Sequence, residues 1–139
     1  MIQPRLRCRR PRISARVLRA YRQTHYQAAG VSVRIGRRCP DMDHLLESSG
    51  VREAAFITAY NPFSRRMPSG WNRRMQARLA ETLRHHKFLS ATGSWRGWSE
   101  DHLLVLSDVR VVCRVMLRYR QNGIVIVKHR QIARLVLSC

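Results

Sequence analysis

The residues with the most chemistry to offer are amides. Asn61, Asn72, Gln76, Gln121 and Asn122 are joined by Tyr60, Ser64 and one carboxylate, Glu100. Asn72 and Gln76 stand one helical turn apart, so a helix would turn both amides toward the same spot. Neutral amides fix carbonyls and read nucleobase edges, but they are poor general bases. That leaves Glu100 as the candidate acid/base. Tyr60, Asn61, Ser64, Asn72, Gln76, Gln121 and Asn122 are therefore the expected lining of a ligand or substrate pocket. The same residues also have an ordinary reading. The residue before a proline avoids the helical region and asparagine bonds its own backbone, so Asn61-Pro62 serves equally well to end a strand. Asn122-Gly123 is likewise a strong turn signal.

A second group is built for polyanions. Trp95 and Trp98 flank Arg96, a combination that stacks on bases or sugar faces, although two tryptophans can also simply cap a core beneath a loop. The formal net charge is +19, from 27 basic and 8 acidic residues. Only Lys87 and Lys128 are lysine, which leaves 25 arginines. Guanidinium forks grip phosphate better than ammonium groups do. Arg5, Arg7, Arg9, Arg10, Arg12, Arg65, Arg66, Arg73 and Arg74, with Trp95 and Trp98, are the expected nucleic-acid contacts. A GC-rich coding sequence would produce the same arginine excess.

Several chemistries lack their motifs. Cys8, Cys39, Cys113 and Cys139 form no C-x-x-C pair, so no zinc ribbon or thioredoxin-like motif is expected. His85 and His86 are adjacent and cannot face one metal from a helix; His25, His44, His102 and His129 have no cysteine or carboxylate in ligand spacing. No metal and no cofactor are expected. The chain has no P-loop, no G-x-G-x-x-G and no G-x-S-x-G. No run approaches the roughly 18 apolar residues of a membrane span. The N-terminus has the basic start of a signal peptide without an apolar stretch behind it. Reduced thiols and a cytoplasmic location are the expectation.

The elements that must position these residues follow from periodicity. Residues 1–12 read as a basic flexible tail, and 13–139 as one domain. Val17, Leu18, Tyr21 and His25 form a helical stripe that begins near Ser14 and ends at Gly30. Val31–Ile35 alternates as a strand, and Asp41 or Asp43 caps a short helix through Leu45 and Leu46. Ala54–Tyr60 is apolar on both faces apart from Thr58, as a central strand would be. Trp71, Met75, Leu79 and Leu83 predict a helix from Ser69 to about Lys87. Phe88–Ser94 and His102–Leu106 read as strands around a loop at Gly93–Trp98. Asp108 caps a helix through Tyr119, and Ile124–Val127 and Ile132–Leu137 form a closing hairpin. The expected architecture is an α+β sandwich, a mostly antiparallel sheet of five or six strands packed by three to four helices.

The run Thr58-Ala59-Tyr60-Asn61-Pro62-Phe63-Ser64, followed by Asn72 and Gln76, resembles a bacterial family known as domain of unknown function 3293. Thr24 and Tyr26, Leu79, Trp98-Ser99-Glu100, Gln121-Asn122 and Arg134-Leu135-Val136-Leu137 extend the likeness from about Tyr21 to Leu137. Gly123 departs from the alanine expected after the Gln-Asn pair, and the arginine load is heavier than the family pattern requires. The resemblance transfers no activity. It implies that Asn61, Asn72, Glu100 and Gln121 belong to one shared site.

Three functions follow as expectations. The first is an RNA- or ribosome-associated protein that contacts phosphates through arginines, with RNA favoured over DNA. The second is a small enzyme or ligand-binding protein with a pocket of Asn61, Asn72, Gln76, Glu100 and Gln121. The third is an adaptor that docks an acidic protein surface.

Overall fold

Tyr26 and Ala28 are buried while His25 and Gln27 are exposed. That period of two makes His25–Ala28 a strand, where the sequence predicts a continuing helix. In the computed structural model, which describes residues 13–138, the first helix, α1 (Ala15–Gln23), stops at Thr24. The Thr24 hydroxyl donates to the Ala20 carbonyl at 2.6 Å and turns the chain into extended backbone. A β-branched threonine and the aromatic Tyr26 suit a pleated surface better than a fourth helical turn. The stripe that reaches His25 is thus a coincidence of spacing. Ala29 and Gly30, both at positive φ, turn β1 (His25–Ala28) into β2 (Val31–Val33), as a tight hairpin requires.

Next come α2 (Pro40–Ser48), β3 (Glu53–Ile57), a short 3-10 turn at Pro62–Ser64, α3 (Ser69–Thr82), β4 (Phe88–Trp95), β5 (Trp98–Val105), α4 (Val109–Arg118), β6 (Gly123–Lys128) and β7 (Arg134–Leu137). α2 begins at Pro40 behind Cys39, which makes no side-chain cap, so neither Asp41 nor Asp43 is its N-cap. Asp108 does cap α4, accepting from the Arg110 N–H at 2.9 Å. α3 ends five residues before Lys87. The expected loop at Gly93–Trp98 is the tip of a β4–β5 hairpin.

All seven strands join one antiparallel sheet in the order β2-β1-β4-β5-β3-β6-β7. The chain is α+β, with a strand or two more than expected because β1 is recruited from the presumed helix. The sheet curls until its edges meet at a parallel bridge between Ile35 and Ala133. On one face α3 and α4 seal a dry layer in which Leu79, Leu83, Val112 and Met116 pack on Ala55, Ile57, Val105 and Ile126. The other face carries Phe56, Leu104 and Val125 and is covered by α2 through Met42 and Leu46. α1 lies toward the remaining end of that second face and buries no residue completely. No helix among the described residues is long and apolar enough to cross a membrane.

Candidate functional site

At the end guarded by α1, a cleft of about 730 Å³ opens onto the sheet. The end of β3 builds one side of it. Past Ile57 the chain leaves the ladder, and Asn61 adopts the left-handed conformation at φ 47°. Asparagine tolerates that region better than most residues, and here four hydrogen bonds through its N–H and its side chain hold it. Its own N–H donates to the Asn72 Oδ1 at 3.0 Å. Its Oδ1 accepts from the Met67 N–H at 2.8 Å and from the Asn72 Nδ2 at 2.9 Å. A backbone N–H can only donate, so the Asn61 amide is oriented with its nitrogen on the far side. That nitrogen donates to the Glu100 Oε1 at 2.6 Å.

Glu100 is buried, at 8% exposure, and reaches the cleft from β5. Burial pushes its carboxyl up to about 7, only partly countered by the Asn61 amide. A carboxyl poised there can give or take a proton near neutral pH. Two residues on, His102 lies on the same face of β5. Burial holds its imidazole down to about 4, so it is neutral, and its Nδ1 lies 3.2 Å from the Glu100 carbonyl oxygen. The ring fits because residue 93, diagonally across on β4, is glycine; a Cβ there would stand 2.7 Å from the His102 Cε1. Tyr26 meets His102 edge-on with centroids 5.6 Å apart. Burial holds the phenols of Tyr21 and Tyr26 above their usual range.

The rest of the rim is tied to this floor. Gln121 donates through Nε2 to the Tyr60 carbonyl at 3.1 Å. Asn122 donates to the Ser64 hydroxyl at 2.8 Å, and the Phe63 N–H to the Arg120 carbonyl at 2.7 Å. The Tyr60 hydroxyl donates to Asp101 Oδ2 at 3.0 Å. Burial first, then that carboxylate, hold the Tyr60 phenol above its ordinary value.

Of the residues expected in a pocket, Tyr60, Asn61, Ser64, Asn72, Glu100 and Gln121 line this cleft. Gln76 and Asn122 do not. Gln76 sits behind the strand end, where its Oε1 accepts from the Ala59 N–H at 2.9 Å, and it borders a separate concavity of about 540 Å³. Of the expected nucleic-acid contacts, Arg66, Trp95 and Trp98 line the cleft, whereas Arg65, Arg73 and Arg74 are exposed outside it. Arg5, Arg7, Arg9, Arg10 and Arg12 lie outside the described residues. The cleft also includes Arg16, Tyr21, Tyr26 and His102, which no local motif marks. The one sequence signal for His102 is Gly93, a glycine inside a strand, which often marks a close approach. Among the described residues no group of three or more His, Cys, Asp or Glu could hold a metal.

Residues 57–124, just under half of the chain, match the family model described as protein of unknown function (DUF3293). The chain resembles that family over this span, which holds Asn61, Asn72, Glu100 and Gln121. Thr24, Tyr26 and Arg134–Leu137 fall outside it. No curated protein and no solved structure matches the chain.

Proposed function

We propose that this protein binds a small polar ligand in the α1 cleft and that Glu100 exchanges a proton with it, as a ligand-binding protein or a small enzyme. The observation that carries this reading is a nearly buried carboxyl at the cleft floor, oriented by the Asn61 amide at 2.6 Å. A buried carboxyl is costly unless paired, and Glu100 has no guanidinium or ammonium partner among the described ion pairs. Desolvated titratable groups that converge in a cleft are functional-site candidates. Asn61 and Asn72 are positioning residues here. Both Asn72 hydrogens are spent on the Asn61 Oδ1 and the Met67 carbonyl, so Asn72 holds the loop.

The test is retention of small molecules. The full chain is incubated with a cell extract, separated by gel filtration and analysed by mass spectrometry beside Glu100→Gln. A compound held by the native chain and lost from the variant supports the reading. Equal retention by both, or none by either, counts against it.

A second reading is an RNA- or ribosome-associated protein of the cytoplasm. The exposed Arg65, Arg73 and Arg74 beside the cleft, together with the +19 charge, favour it. It predicts binding that falls steeply with salt and is indifferent to Glu100→Gln.

A further inference from the structure

Trp95 and Trp98 pair directly across the β4–β5 hairpin, and both line the cleft that ends at Glu100. Trp95 already carries a cation, with the Arg96 guanidinium carbon 4.9 Å from its ring centroid. Trp98 has no ring or cation partner among the described residues, and it is 45% exposed. A large aromatic left open at the rim of a cleft is a platform for another flat ring. By strand alternation Trp98, Glu100 and His102 share one face of β5. A ring laid on Trp98 therefore lies two residues along the strand from the carboxyl.

The charges around the cleft specify the other end of the ligand. Its lining holds two arginines, Arg16 from α1 and Arg66 from the loop after the 3-10 turn, against one carboxyl, Glu100. Both arginines are exposed, and neither has a carboxylate partner among the described ion pairs. Ser69, the first residue of α3, also lines the cleft. That helix starts behind Pro68 with no side-chain cap and no acidic residue in its first turn, so its leading N–H groups are open to an anion. A ligand that satisfies both ends is planar and polar-edged at one end and doubly anionic at the other. The volume falls in the range of pockets that enclose a molecule of that size.

We infer, resting on the ligand-binding reading above, that the cleft takes a nucleoside phosphate, with its base on Trp98, the base edge toward Glu100 and the phosphate at Arg16, Arg66 and the start of α3. A free nucleotide and an unpaired nucleotide of single-stranded RNA share that chemistry.

The full chain is titrated with AMP, GMP, CMP and UMP and with single-stranded RNA decamers, followed by tryptophan fluorescence at low and moderate salt. Trp98→Ala and Arg66→Ala are the variants, with Trp98→Phe as the conservative control; the exposure of both sites makes folding defects avoidable. The inference expects saturable quenching by at least one mononucleotide. Affinity should fall about tenfold in Trp98→Ala, the scale of one base–aromatic stack, and recover in Trp98→Phe. Mononucleotides binding as tightly as RNA identify a free nucleotide as the ligand. Decamers binding far more tightly, with the same loss in Trp98→Ala, identify RNA. Decamer binding that vanishes with salt and ignores Trp98→Ala overturns the inference in favour of scattered surface arginines. No binding of either class, while Glu100 still governs retention of some other compound, overturns the nucleoside phosphate and leaves the cleft reading standing. If Glu100 governs retention of nothing, both fall.

Discussion

α1 and α2 are both nine-residue helices on the same face of the sheet, yet they do opposite work. α2 sinks Met42 and Leu46 among Ala54, Leu104 and Val127 and closes its end of the face. α1 buries nothing completely, and Val17, Ala20 and Tyr21 become the wall of a cleft. α1 is nevertheless the more amphipathic of the two. A strong apolar stripe therefore says that a helix has a face to hide, and leaves open whether sheet or ligand hides it. What separates the two is the surface beneath. Under α2 that surface is small and aliphatic, with Ala54 and Val127. Under α1 it is Tyr26, Glu100 and His102, side chains too polar to seal dry.

The contrast is broken most forcefully at Leu46. Leu46→Ala leaves a cavity at a fully buried site and should cost about 2–5 kcal/mol, read as a drop in the urea midpoint. A loss under 1 kcal/mol would mean that the α2 end is as loosely packed as the α1 end.

The next effect is a pH dependence. The folded chain keeps the Glu100 proton up to about 7, where the unfolded chain has released it from about 4.5. The contribution is thus present at low pH and lost as pH rises through that window, by up to about 3 kcal/mol. His102 runs the other way. Its folded value near 4 against an ordinary 6.5 makes stability fall as pH drops between them. In the native chain the two slopes oppose each other between about 4.5 and 6.5. Glu100→Gln should expose the His102 slope alone, with stability falling from pH 6.5 downward. A constant difference between variant and native chain from pH 5 to 8 would remove Glu100 as a proton-carrying group.

Asn61→Ala should be smaller, about 2 kcal/mol, because it strands the Met67 N–H and the Asn72 amide and leaves a non-glycine residue in the left-handed region. The same variant should raise the Glu100 titration midpoint, since the amide that favours the ionised form is gone. An unmoved midpoint, followed by NMR of the carboxyl, would detach Asn61 from the site. Smallest of all is Val17→Ala on α1, expected within about 1 kcal/mol because the side chain is only half-buried.

Much of this was readable in the chain. Asn-Pro marks the turn beyond β3, although the strand ends at Ile57 rather than at the expected Tyr60, and Asn61, Asn72 and Gln121 gather around the cleft with Glu100 although they lie far apart in sequence. Gln76 shows where spacing runs out. One turn of helix advances about 5.4 Å, enough to carry it from the loop that Asn72 holds to the backbone just past β3, at Ala59. Tyr26 and His102 were out of reach because their place depends on register. Tyr26 opposes Gly93, and Gly93 opposes Glu100, pairings that no local window contains. α3 was overextended because no glycine or proline follows Thr82 to announce its end; Leu83 still packs in the core while the chain turns beyond it.

The bridge between Ile35 and Ala133 has a kinetic meaning. The Gly36 N–H meets the Ala133 carbonyl at 2.8 Å, and the Ala133 N–H meets the Arg37 carbonyl at 3.1 Å. These contacts join segments near opposite ends of the sequence, so the chain must lose most of its freedom before they form. The bridge ties only Ile35, Gly36 and Arg37 to Ala133, so β2 and β7 themselves remain the two edges of the sheet. On that loop-closure cost, the seam is expected among the last contacts to form in folding.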